Sequence, residues 1–177
     1  MEARLDLMMF RIGDKVVHPQ HGVGQVIKLE DREFEPGVMR RYYEISIPGG
    51  STLWVPLDLP RLGGLRKLTG RDEIARCRKI LEALPVPLTE EARVRQSELA
   101  SRLKRGTIAA HCEVVRDLSA YGAHKPISGT IAAFLKATQD VLCQEWAIVE
   151  GITLGEAAAE INSLLEKGRL ALKENKA

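Results

Sequence analysis

The chain has 177 residues, 45% of them hydrophobic, and a formal net charge of +2. This suits one or two small domains, each with its own core. The apolar runs are short and broken by charges, so no segment is read as a membrane span, and the acid-containing start Met1–Met9 is read as no secretory signal, with Met8 or Met9 as an alternative start.

From Phe10 to Gly24 the chain reads as a turn, a short strand over Lys15–His18 ended by Pro19, a tight turn, and the start of a second strand. Residues Gly22–Phe34 alternate for much of their length, with Val23, Val26 and Ile27 apolar and Lys28, Glu30 and Arg32 polar. Glu35-Pro36-Gly37 is a turn signal, and Met39–Ile47 has the aromatic and β-branched content of a strand. Pro48-Gly49-Gly50-Ser51 is a second turn, followed by a strand over Thr52–Leu57. Several short strands in about fifty residues, separated by Gly/Pro turns, predict a small Tudor- or SH3-like barrel. The likeliest boundary by composition is Leu59–Leu65, which contains Pro60, Gly63 and Gly64.

Beyond Thr69 the period changes from two to about 3.6. Thr69 with Asp72 reads as a capping pair for a first helix with Ile74, Cys77, Leu81 and Leu84 as its stripe, stopped by Pro85-Val86-Pro87. Thr89 is the expected cap of the second helix, whose apolar edge is Ala92, Leu99 and Leu103 and whose end is Gly106. A third helix is expected from about Thr107 to Ala120, with a loop bounded by Gly122 and Pro126. The fourth is long and turns Ile131, Leu135, Leu142 and Val149 inward. Thr153-Leu154-Gly155-Glu156 is a capping box for a fifth helix, and Ala171–Ala177 is expected to fray. The fold class is therefore β plus α in two domains: a small Tudor/SH3-like barrel, then a compact five-helix domain.

No catalytic arrangement emerges. The acid pairs Asp72/Glu73 and Glu90/Glu91 sit where helix starts favour negative charge. Gly22-Val23-Gly24 opens a strand rather than a helix and has no Lys-Ser/Thr after it, so it is no phosphate loop. His111 and Cys112 are neighbours on a helix and do not face each other. Cys77, Cys112 and Cys143 lie far apart, and with four scattered histidines they form neither a disulfide framework nor a metal motif. The reading is a non-enzyme with no cofactor and no metal site.

Binding features remain. Arg32, Arg40, Arg41, Tyr42, Tyr43 and Trp54 cluster on the later strands, and Arg, Tyr and Trp are the types enriched at interface hot spots. One of the two adjacent tyrosines is expected to face inward, since neighbours alternate along a strand. Between Arg93 and Arg105 five bases stand against Glu98 alone, a local charge of +4 of the kind that phosphate backbones attract.

The segment Phe10–Gly24, Tyr42-Tyr43-Glu44-Ile45, Trp54-Val55-Pro56, Gly64-Leu65-Arg66 and, in the helices, Glu113-Val114-Val115-Arg116-Asp117-Leu118 resemble the CarD/CdnL family of bacterial transcription regulators. The likeness spans roughly residues 8–168. It implies a Tudor-like RNA-polymerase-interaction domain over 8–64 and a helical DNA-contacting domain over 69–168. It also implies docking on the polymerase β subunit, contact with promoter DNA near the upstream edge of the −10 region, and modulation of open-complex stability. The implied setting is cytoplasmic, with no membrane partner and a monomeric chain.

Carried over by position, Arg32 matches a polymerase-contacting arginine, and Trp54 falls where some relatives have a second one. Tyr43 is the third expected polymerase contact. On the DNA side the expected residues are Ala92, Arg93, Arg95, Arg102 and Lys104. Ala92 takes the place of a tryptophan that, in relatives, wedges into the minor groove. That substitution opens an alternative: a polymerase-docked adaptor whose helical domain binds another protein rather than DNA.

Overall fold

The computed structural model describes residues 10–58 and 65–175. It divides into two compact units, residues 1–68 and 69–177. The composition boundary at Leu59–Leu65 falls mostly outside the described residues, as do Met8 and Met9.

The first unit is built from β1 (Lys15–His18), β2 (Gly22–Glu35), β3 (Val38–Ile47), β4 (Ser51–Pro56) and β5 (Arg66–Lys67). They form one antiparallel sheet in the order β4-β3-β2-β1-β5. Four inter-strand steps separate β4 from β5, about 19 Å in a flat sheet. Val55 of β4 and Leu65, just ahead of β5, nevertheless share one core with Phe10, Val16, Val26, Tyr43 and Ile45. The sheet therefore curls around its core, as the barrel reading requires. Gly24 permits the tight crossing of β2 over β3, since a Cβ there would lie 2.6 Å from Ile45 Cγ2 and 2.9 Å from the Ser46 carbonyl. β5 is too short to carry a periodic signal in the sequence, and pairing with β1 defines it.

The second unit contains α1 (Arg71–Glu82), α2 (Ala92–Leu103), α3 (Ile108–His124), α4 (Gly129–Glu150) and α5 (Leu154–Glu174). Its main core joins Ile74, Cys77 and Leu81 of α1 to Cys112 and Val115 of α3, Leu142 and Trp146 of α4, and Ile161 and Leu165 of α5. Trp146 is fully buried, and its indole N–H donates to Glu160 Oε2 at 2.9 Å. A separate cluster of Leu88, Leu99, Val114 and Leu118 seats α2 against α3.

Several expected helix ends shift. Thr69 does not cap α1: its N–H donates to the buried Glu145 carboxylate at 3.0 Å, and Gly70 is the N-cap without a side-chain bond. Leu84 lies beyond α1 and is exposed. Thr89 does not cap α2 either. Its hydroxyl accepts the Glu91 N–H at 3.4 Å, and Arg95 holds the Thr89 and Glu90 carbonyls outside the helix, so Glu91 is the N-cap. α3 runs through Gly122 to His124, where Gly122 lets Ile127 pack at 3.4 Å from the place of a Cβ. α5 continues to Glu174 through the stretch expected to fray. Thr107, Ser128 and Thr153 do cap α3, α4 and α5, the last through the complete Thr153/Glu156 box.

Candidate functional site

Two surfaces carry the residues that the sequence singled out, one on each unit. On the sheet, the pairings Glu30↔Tyr42, Arg32↔Arg40 and Glu44↔Trp54 place Arg32, Tyr42 and Trp54 on one face, opposite the core. The Arg32 guanidinium lies 3.9 Å from the Trp54 ring centroid. Glu30 pairs with both Lys28 and Arg32, and those two cations hold its carboxyl below the ordinary carboxylate value. Cation–π stacking and this ion pair fix a long side chain that otherwise loses rotamer freedom on binding.

Phe34 extends the same face. It meets Tyr42 edge-on at 4.9 Å and Trp54 at 6.1 Å, yet remains 53% exposed. Phe34 stands two residues after Arg32 on β2, so strand alternation puts it on the same face, next to a register irregularity between Glu33 and Glu35. The sequence reading missed Phe34. Its signal was a lone aromatic in the otherwise charged run Asp31–Glu35.

Tyr43, expected at the docking surface, is instead a core residue with 0% exposure. Its ring meets Phe10 at 5.6 Å, and its hydroxyl accepts the Phe10 N–H at 3.2 Å. Both tyrosines are buried because Tyr42, though facing outward, is covered by Phe34.

The second surface is α2. Ala92 opens the helix and is exposed, as are Arg93 and Lys104. Arg95 is not on the surface: it is 8% exposed, and its Nη1 donates to the Thr89 and Glu90 carbonyls at 2.8 and 3.1 Å and to the Tyr121 hydroxyl at 3.0 Å. Arg102 donates to the buried Asp117 carboxylate at 2.6 Å, and Arg105 pairs with Glu113. Three of the five bases in the basic stretch thus have partners within the chain. An open cleft of about 500 Å³ along α2 is lined by Val94, Ser97, Glu98, Ser101 and Arg102, which is not a strongly cationic wall.

The rings of His18, at the end of β1, and His21, in the turn to β2, are tilted with centroids 4.7 Å apart. Burial, and then the neighbouring His21, pull His18 down to about 4. Burial beside Cys77 pushes the Cys112 thiol well up, which suits an inert core cysteine. Among the described residues no group of three or more potential ligands could hold a metal ion, and no helix is long and apolar enough to cross a membrane.

Residues 10–69 match the family model described as the CarD-like/TRCF RID domain, and residues 76–162 match that of the CarD C-terminal domain. The candidate transcription factor YdeB of Bacillus subtilis (strain 168) is similar at 26% identity over 146 residues, covering 82% of this chain and 95% of YdeB. A curled sheet of the polymerase-interaction type followed by a helical domain defines a transcription regulator, a class distinct from enzymes. The chain belongs to the CarD/CdnL family.

Proposed function

We propose that this regulator docks on the RNA polymerase β subunit through the outer sheet face bearing Arg32 and Trp54, and brings its helical domain to promoter DNA near the upstream edge of the −10 region, where it modulates open-complex stability. The observation that carries the reading is the Arg32–Trp54 stack, because it makes one preorganised patch of two positions that the family likeness assigns to polymerase contact. Phe34 adjoins it and supplies exposed apolar area, with Tyr42 supporting its ring from beneath. The domain limits that go with this function are 8–64 for docking and 69–168 for DNA contact, in a monomer acting where the polymerase acts. Ala92 and Arg93 of α2 and its C-cap Lys104 are exposed and available to DNA.

The test is a titration of purified polymerase, with open-complex lifetime measured for the native protein and for Ala92→Trp. Position 92 is exposed at the start of α2, so an indole there has room to reach DNA. Stacking contributes about 1–3 kcal/mol per base, so the variant is expected to lengthen the lifetime roughly tenfold. Failure to bind polymerase at about micromolar concentration (~8 kcal/mol) would end the docking reading.

A second reading has its own support. Arg95, Arg102 and Arg105 are engaged within the chain, and α2 presents Val94, Ser97 and Ser101 beside Glu98. These favour a docked adaptor whose helical domain binds protein. A complex with polymerase whose promoter footprint is unaltered by the regulator would select it.

A further inference from the structure

α2 is mounted on the helical domain by few apolar contacts. Of its 12 residues only Arg95 and Leu99 are buried. Two polar clamps flank Leu99. At one end Arg95 reaches the Tyr121 hydroxyl at 3.0 Å and lies 4.5 Å from the Tyr121 ring centroid. At the other, Arg102 donates to Asp117 Oδ2 at 2.6 Å. Asp117 is 1% exposed, and its Oδ1 also accepts from Arg116 Nε at 2.7 Å and from the Val86 N–H at 2.9 Å. One carboxylate therefore joins α2, α3 and the connection between α1 and α2. Asp117 and Tyr121 are four residues apart on α3, and Arg95 and Arg102 seven apart on α2, so each pair lies along one helix face.

We propose that Asp117 and Tyr121 are positioning residues that hold α2 on α3 through Arg102 and Arg95, and so set how the exposed residues of α2 are presented to DNA. This rests on the reading of the helical domain as the part that meets DNA. The physical ground is that charge-assisted hydrogen bonds are the strong ones, and losing Arg102 leaves Oδ2 of the buried Asp117 carboxylate without its donor. Swinging Arg95 out to a phosphate would also strip three acceptors at once. The arginines are mounts, and the readout of phosphate falls to Arg93 and Lys104.

Hydrogen exchange read by mass spectrometry on the full chain tests this, using Asp117→Asn and the milder Tyr121→Phe, which removes one hydroxyl and keeps the ring. Amides of α2 are expected to exchange roughly tenfold faster or more in each variant, while those of α1, α4 and α5 keep their protection. In parallel, duplex DNA binding is followed against salt for the parent and Arg102→Gln. A positioning role predicts weaker binding with the same salt slope. Unchanged α2 exchange in both variants overturns the proposal, and so does a slope shallower by about 0.9 in Arg102→Gln, the mark of a lost phosphate contact. A parent that binds no duplex at low salt removes the DNA reading instead, and the exchange result then decides the clamps alone.

Discussion

The salt dependence of DNA binding separates the charge of α2 as written in the sequence from the charge it presents. If all five bases between Arg93 and Arg105 met phosphates, log K would fall with log salt at a slope of about −4.5. Raising salt from about 50 to about 200 mM would then weaken binding roughly 500-fold. With Arg95, Arg102 and Arg105 engaged internally, Arg93 and Lys104 remain. Two contacts give a slope near −1.8 and a loss of roughly 12-fold over the same range. Arg93→Gln should halve the α2 contribution, to about −0.9 and a loss of roughly 3.5-fold. Fluorescence anisotropy of a labelled duplex with the full chain measures all three. A decrease of 3 or more in slope steepness on replacing the five bases between Arg93 and Arg105 together would refute the reasoning, because the internal partners would then not be holding their arginines.

Trp54→Ala is expected to weaken polymerase binding by about 2 kcal/mol, roughly thirtyfold, because it removes the surface on which Arg32 rests. Tyr43→Phe should do the opposite: it loses the bond to the Phe10 N–H, destabilises the β unit by about 1 kcal/mol in a thermal or urea melt, and leaves polymerase affinity unchanged. Gly168→Ala is expected to destabilise the helical unit by about 1–3 kcal/mol in a thermal melt, since a Cβ there would sit 2.6 Å from the Ala83 carbonyl oxygen and 3.3 Å from that of Glu82. His18 gives a pH dependence. It titrates at 6.5 when unperturbed and at about 4 in the native chain, so below 6.5 the unfolded chain takes up a proton that the native one does not. Its contribution to β-unit stability is full above 6.5 and is lost as pH falls toward about 4. Replacement by Gln should flatten that segment of a stability profile followed by urea denaturation.

Local chemistry made much of the fold legible. Gly/Pro turns and alternating residues marked β1 to β4 to within a residue or two, and the 3.6 period marked all five helices. Thr153 and Glu156 form their box as spaced, because both partners of a capping box lie within one turn. Thr69 and Thr89 do not cap: the Thr69 N–H goes to Glu145, the Thr89 carbonyl goes to Arg95 of α2 itself, and the helices start from Gly70 and Glu91 instead. β5 escaped notice because two residues carry no period.

What the sequence determined by itself is the order of the elements, the two-part plan and the family likeness, since each rests on short-range patterns that survive without coordinates. Which side chains are free was decided by tertiary structure. Tyr43 and Arg95 read as surface binders from their types, but one closes the β core and the other is spent on three oxygens brought to it by α3 and the turn before α2. Phe34 read as part of a charged strand and emerges beside Trp54 because pairing through β3 brings β4 alongside its face of β2. Charge and aromaticity belong to residues, while availability depends on which partners the fold brings within reach, and only the packed structure supplies those.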